Sequence, residues 1–270
     1  MNEEATNADY PQSTVVGIGF TLRSTVKRIS FRRKPTTMQN VLIAGANRGI
    51  GLALVEAHAG RGDHVIAACR QGSASLREQV QRHPPSTSSG VRIEEGVDVT
   101  NHSALTALVA RLQGCVLDRL LVCAGVLSSE TVDDLGDEAS ERIRRQFEVN
   151  ALAPLRVVAS LLPRLAEGSK VGILTSRMGS MGDNSSGGYY GYRMSKAAVN
   201  AAGRSLAHDL APRKIAVFLL HPGFVRTEMT AGNGDLSAEQ SAAHLVNRVD
   251  ELSLADSGGF WHANGQGLPW

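Results

Sequence analysis

From Asn40 onward, short apolar runs alternate with longer amphipathic stretches, which is the pattern of strands and helices in succession. Runs at Asn40–Ala44, Asp63–Ala68, Val91–Glu94, Arg119–Cys123, Val171–Thr175, Ile215–Leu220 and Gly259–His262 read as seven strands. Between them, Gly51–Ala59, Ser73–Arg82, Ser103–Leu112, one long stretch from about Ser140 to Leu165, a stretch through Tyr192 to about Leu210, and Ala238–Leu252 read as helices. Strands separated by helices imply right-handed crossovers and a parallel sheet covered on both faces. Residues 38–270 are therefore expected to form a single α/β domain of the doubly wound Rossmann type, with a seven-stranded parallel sheet flanked by helices on both faces. Pro84–Gly90 is a surface loop, too short to separate two domains.

Composition agrees with that layout. Aromatics make up only 4% of the chain while small and aliphatic residues abound, as parallel strands under closely packed helices require. No stretch approaches the roughly 18 consecutive apolar residues of a membrane span. Cys69, Cys115 and Cys123 have neither metal-ligand spacing nor an even number, so neither a metal site nor a disulfide framework is expected, and a reducing compartment follows.

Residues 1–37 differ from the rest. Up to Pro35 there are six basic residues against three acidic ones, which leaves −1 for the remainder of a chain whose net charge is +2. A nearly neutral body lacks the basic footprint of a nucleic-acid binder. Pro11–Thr37 is rich in Ser, Thr and Arg and free of acid, and Met38 follows directly. Two readings stand: an organelle transit peptide, or a disordered extension or upstream translated sequence with Met38 as the natural start. The location is accordingly cytoplasmic, or chloroplast or mitochondrial if the segment targets. Gly17-Ile18-Gly19 lacks the flanking strand and helix of a nucleotide loop.

Gly45-Ala46-Asn47-Arg48-Gly49-Ile50-Gly51 follows the first strand and opens the first helix. Glycines there permit a sharp turn, close backbone approach to a ligand and tight helix packing, and the free amides of the helix start attract a pyrophosphate. The end of the second strand carries Cys69-Arg70 in place of the acidic residue that holds ribose hydroxyls in NAD sites. Arg70, with Arg48 in the loop, suits a 2′-phosphate, so NADP(H) is the expected cofactor.

Tyr192-Arg193-Met194-Ser195-Lys196 places a phenol and an ammonium four residues apart on one helix face. A nearby positive charge favours the phenolate and would lower the tyrosine's pKa from about 10, fitting it to exchange a proton with a carbonyl or alcohol oxygen.

With these motifs in order, the chain from about residue 39 to 270 resembles the short-chain dehydrogenase/reductase family. The glycine loop matches T-G-x-x-x-G-I-G from Gly45 onward, and Tyr192 and Lys196 fit Y-x-x-x-K. The resemblance implies that Asp98-Val99 holds the adenine, that Ala124-Gly125 belongs to the N-N-A-G segment, and that Asn150 and Ser176 are the family's further catalytic residues. Asn150 would anchor a water relaying protons to Lys196. Pro222-Gly223, Val225 and Thr227 look like the segment that receives the nicotinamide amide. Ser180 is a rival to Ser176. Asp183–Arg193 and Gly267–Trp270 resemble the branch holding C-factor proteins and carbonyl reductases, some of which are discussed as signalling proteins. The implied function is an NADP(H)-dependent oxidoreductase acting on a small carbonyl or alcohol substrate, with self-association as a dimer or tetramer; the alternative is a cofactor-binding signalling protein with little catalysis. Two departures, Ala44 for the family's threonine and Val122-Cys123 for its N-N, fall on one contact, and apolar replacement of both sides of a polar contact can be nearly neutral.

Overall fold

The computed structural model describes residues 38–86 and 89–270. The segment 1–37, with its targeting or extension readings and Gly17-Ile18-Gly19, lies outside the described residues.

Seven parallel strands form one sheet in the order β3-β2-β1-β4-β5-β6-β7. They are β1 (Asn40–Ala44), β2 (His64–Ala68), β3 (Gly90–Glu94), β4 (Leu117–Val122), β5 (Leu165–Leu174), β6 (Ala216–His221) and β7 (Phe260–His262). The helices are α1 (Gly49–Ala59), α2 (Ala74–Arg82), α3 (His102–Arg111), α4 (Asp137–Phe147), α5 (Ala153–Leu161), α6 (Tyr190–Leu210) and α7 (Ala238–Glu251). Successive strand residues face opposite sides, so each strand feeds two cores. Leu42, Ile66, Leu120 and Val217 pack with Leu105 of α3, Val157 of α5 and Val199 of α6. On the other side Val41, Ile43, Val65 and Phe218 pack with Leu54 of α1, Leu76 of α2 and Leu245 of α7. Burial on both faces explains why the strands read as continuous apolar runs.

The single helix expected from Ser140 to Leu165 is two helices. α4 gives way to a π-helical turn over Glu148–Leu152, and α5 resumes at Ala153. Pro154 has no N–H to offer the Asn150 carbonyl four residues back, so the α-helical ladder cannot run through this point and the backbone widens. β5 also starts at Leu165 instead of Val171, with a register shift in its pairing with β4 between Leu117 and Arg119.

At the end of the sheet where the strands begin, α1 buries His58 completely, with Nδ1 2.7 Å from Asp63 Oδ2. Arg61, Arg119 of β4 and Asp250 of α7 complete this ionic cluster. Burial is the main cause holding the His58 pKa below 6.5, partly offset by its hydrogen bond to Asp63. The unfolded chain therefore takes up a proton that the folded chain resists, and stability is lost as pH falls below about 6.5 toward the depressed folded value. A melting temperature that declines through this window in wild type, and declines less in His58→Gln, is the expected result.

Candidate active site

The sheet's strand order reverses between β1 and β4, and ligands in open α/β sheets bind outside the strand ends at such a point. A cleft of about 1640 Å³ lies there. Every residue expected to contact a cofactor lines it, from Gly45 through Arg70, Asp98 and Gly125 to Thr227, together with Ser176, Tyr192 and Lys196. Asn150 does not. It is fully buried in the π-helical turn behind the cleft wall.

The glycine loop is shaped by close approaches. Gly45 has φ +92°, and a Cβ there would lie 2.6 Å from the Ala124 nitrogen; a Cβ on Gly51 would lie 2.1 Å from the Gly45 carbonyl oxygen. α1 begins with no side-chain cap and no acidic residue in its first turn, so its N-terminal amides are available to an anion. Just past β3, Asp98 Oδ1 accepts from the Thr100 hydroxyl at 2.7 Å and the Thr100 amide at 2.9 Å, which holds the carboxyl below its usual range. These features fit a dinucleotide: amides for the pyrophosphate, an acceptor for the adenine amine, and Arg70 exposed on the rim.

Arg48 lines the cleft and is ion-paired with Glu228, in the turn after β6. Both side chains are about two-thirds or more exposed, at 67% and 73%, so the pair is worth only ~0–1 kcal/mol and can be exchanged for a phosphate.

The departures at Ala44 and Val122-Cys123 leave the floor of the cleft intact. Ala44 and Val122 are buried partners in the β1–β4 ladder, and the Ala44 carbonyl accepts from the Cys123 and Ala124 amides at 2.8 and 3.1 Å. Backbone pairing thus bridges the place where the family's polar side chains would meet. Cys123 is half-buried on the cleft floor, and desolvation pushes its thiol up to about 12, which disfavours the reactive thiolate.

At the inner end of the cleft three groups meet. Tyr192 and Ser176 line the cleft together, and the Ser176 side chain is near enough to the Tyr192 hydroxyl to favour its phenolate form. Ser176 sits just past β5, where its hydroxyl also accepts from the Met178 amide at 3.1 Å. Lys196 is only 4% exposed, its Nζ donating to the Leu174 carbonyl at 3.0 Å and lying 5.6 Å from the Tyr192 ring centre. Ser180 points elsewhere, donating to the Trp270 carbonyl at 3.1 Å, and does not line the cleft.

The electrostatics correct one expectation. Desolvation raises the Tyr192 pKa, and the Ser176 side chain offsets it only in part; Lys196 is not among the causes. Lys196 is itself pushed down to about 8 by burial. The sequence shows the lysine's spacing but not the loss of water that both groups suffer, and desolvation wins.

Asn150 is tied to its neighbours on two elements. Its Oδ1 accepts from the Val126 amide at 2.8 Å, and its Nδ2 donates to the Val126 carbonyl at 2.8 Å and to Ser195 Oγ at 3.0 Å. The side chain pins the loop after β4 to the π-helical turn and to α6. Three further supports were missed from sequence. Thr175 Oγ1 donates to Asn200 at 2.7 Å, Gly179 lets the loop after β5 pack on α6 at Lys196, and Glu130 holds the start of α6. The Met-Gly pair after Ser176 was the one available signal for the second of these.

No group of His, Cys, Asp and Glu among the described residues could hold a metal, the three cysteines are free, and no described helix is long and apolar enough to cross a membrane.

The short chain dehydrogenase family matches residues 39–237. The 1-hydroxy-2-glutathionyl-2-methyl-3-butene dehydrogenase of Rhodococcus sp. (strain AD45) is 42% identical over 239 residues, covering 86% of this chain and 100% of the relative. The C-signal protein of Myxococcus xanthus is 44% identical over 138 residues, covering 50% of this chain and 83% of the relative. Among solved structures, a carbonyl reductase from Pseudomonas aeruginosa PAO1 in complex with NADP superposes with a TM-score of 0.75 at 34% identity, covering 87% of this chain and all of that one. The chain belongs to the short chain dehydrogenase family and is an oxidoreductase on its carbonyl-reductase and C-factor-like branch.

Proposed function

We propose that this protein is an NADP(H)-dependent reductase of small carbonyl compounds, or the corresponding alcohol dehydrogenase in reverse. The observation that carries the reading is that Tyr192, Ser176 and the buried Lys196 line one cleft together with the glycine loop. When bound, the reduced nicotinamide supplies a hydride to the carbonyl carbon. Tyr192 Oη gives its proton to the carbonyl oxygen as the alcohol forms. Burial keeps this phenol protonated at neutral pH, which is the form reduction needs. Ser176 Oγ donates to the same oxygen and stabilises the charge that develops there. Lys196, cationic at neutral pH and anchored on the Leu174 carbonyl, would hold the nicotinamide ribose. Asp98 would take the adenine amine and the α1 amides the pyrophosphate. Arg70, joined by Arg48 on leaving Glu228, would take the 2′-phosphate.

Purified protein oxidising NADPH in the presence of some member of an aldehyde and ketone panel is the expected result. A protein that binds NADPH and oxidises it with none of them would contradict the reading, and an affinity for NADH equal to that for NADPH would overturn the phosphate assignment. Because the lysine's pKa in the free protein is about 8, kcat/KM for reduction should hold steady from neutrality and fall as pH rises through about 8, where the Lys196 charge is lost. A profile flat to pH 10 would count against the role of Lys196.

A further inference from the structure

Glu130, in the loop between β4 and α4, is 1% exposed, and no basic side chain among the described residues forms an ion pair with it. Its carboxylate is instead saturated with neutral donors. Oε1 accepts from Ser128 Oγ and from Gln146 Nε2, both at 2.8 Å, and Oε2 accepts from the Gly191 amide at 3.0 Å. Its backbone carbonyl accepts from the Tyr189 amide at 2.9 Å. One residue therefore grips two amides of the turn that leads directly into Tyr192.

That turn is unusual at both gripped positions. Tyr189 has φ +52°, a left-handed conformation that a bulky residue keeps only when its surroundings impose it. Gly191 sits where a Cβ would lie 2.4 Å from Gln146 Nε2, so the first turn of α6 rests against α4 with no room to spare. Gln146, 1% exposed, is fixed in turn by the Ser128 amide at 3.0 Å. An acid buried away from any cation is costly unless donors surround it, and here the amide end of α6 provides one of them.

We infer that Glu130 is a positioning residue for Tyr192: by holding the Tyr189 and Gly191 amides it sets the first turn of α6, and with it the place of the Tyr192 hydroxyl against Ser176. The inference rests on the reading of Tyr192 as the proton donor. The glutamate touches no substrate or cofactor atom and acts through the tyrosine alone. Its reach matters more than its charge.

Two variants of the full chain separate reach from charge. Glu130→Gln keeps an oxygen at the distance of the Gly191 amide while turning the acceptor that faces Ser128 and Gln146 into a donor, and Glu130→Asp keeps the charge one methylene short of the Gly191 amide. For Glu130→Asp, kcat with any carbonyl the wild type reduces is expected to fall about 10²-fold, the cost of a misplaced catalytic group. KM and the NADPH dissociation constant, read by cofactor fluorescence, should stay within about twofold. Glu130→Gln should turn over at least about tenfold faster than Glu130→Asp. Amide hydrogen exchange over residues 189–196 should speed up in Glu130→Asp and stay near wild type in Glu130→Gln. Wild-type kcat in Glu130→Asp, a loss of NADPH affinity in step with kcat, or equal exchange in the two variants would each overturn the inference. The exchange contrast needs no turnover, so a wild type that reduces nothing would sink the reductase reading while the clamp is still decided.

Discussion

Tyr192→Phe is expected to bind NADPH as tightly as wild type and to reduce carbonyls about 10²–10⁴-fold more slowly, the usual contribution of a positioned acid. The substitution removes one oxygen and leaves the ring packed beside Lys196. Its structural cost is small because the neighbouring Ser176 hydroxyl is held by the Met178 amide. KM should change little while kcat collapses, since the proton is given only as the oxygen gains charge. A Tyr192→Phe protein that reduces its substrate at an undiminished rate would remove Tyr192 from the chemistry.

The second large effect falls at the other end of the cleft. Gly51→Val places a Cβ where the Gly45 carbonyl oxygen now lies, at 2.1 Å, so the loop must open and its amides turn from the pyrophosphate position. Losing two charge-assisted hydrogen bonds, at about 1.5–3 kcal/mol each, weakens NADPH binding by about 10²–10⁴-fold. Gly114→Ala is the control. Unlike Gly51 it carries a positive φ, +79°, but a Cβ there meets nothing within 4 Å, and cofactor affinity should be unchanged. Unaltered NADPH affinity in Gly51→Val would mean that the loop does not cradle the cofactor.

The layout of the sheet was legible because periodicity reports burial directly: seven apolar runs are seven strands, and the chain order follows from the helices between them. The glycine loop and the Tyr192–Lys196 pair were legible for a similar reason, since each is a local motif whose geometry follows from spacing. What escaped was set by contacts between distant segments. The break in the long helix turns on a single missing N–H at Pro154, which helical periodicity on either side conceals. The pairing of Arg48 with Glu228 joins residues 180 positions apart, and nothing local announces it. The same holds for Asn150, whose partner Val126 lies on another element, and for Glu130, which reads in sequence as an ordinary loop acid. The direction of the Tyr192 shift required knowing how thoroughly the cleft excludes water there, a property of the whole fold and not of the motif.

A crystal structure of the protein with NADP⁺ and an unreactive carbonyl analogue tests the proposed chemistry most directly. The analogue's oxygen should lie within hydrogen-bonding distance of both Tyr192 Oη and Ser176 Oγ, with the adenosine 2′-phosphate on Arg70. An analogue oxygen bound away from Tyr192 and Ser176, with the cleft otherwise filled by cofactor, would contradict it.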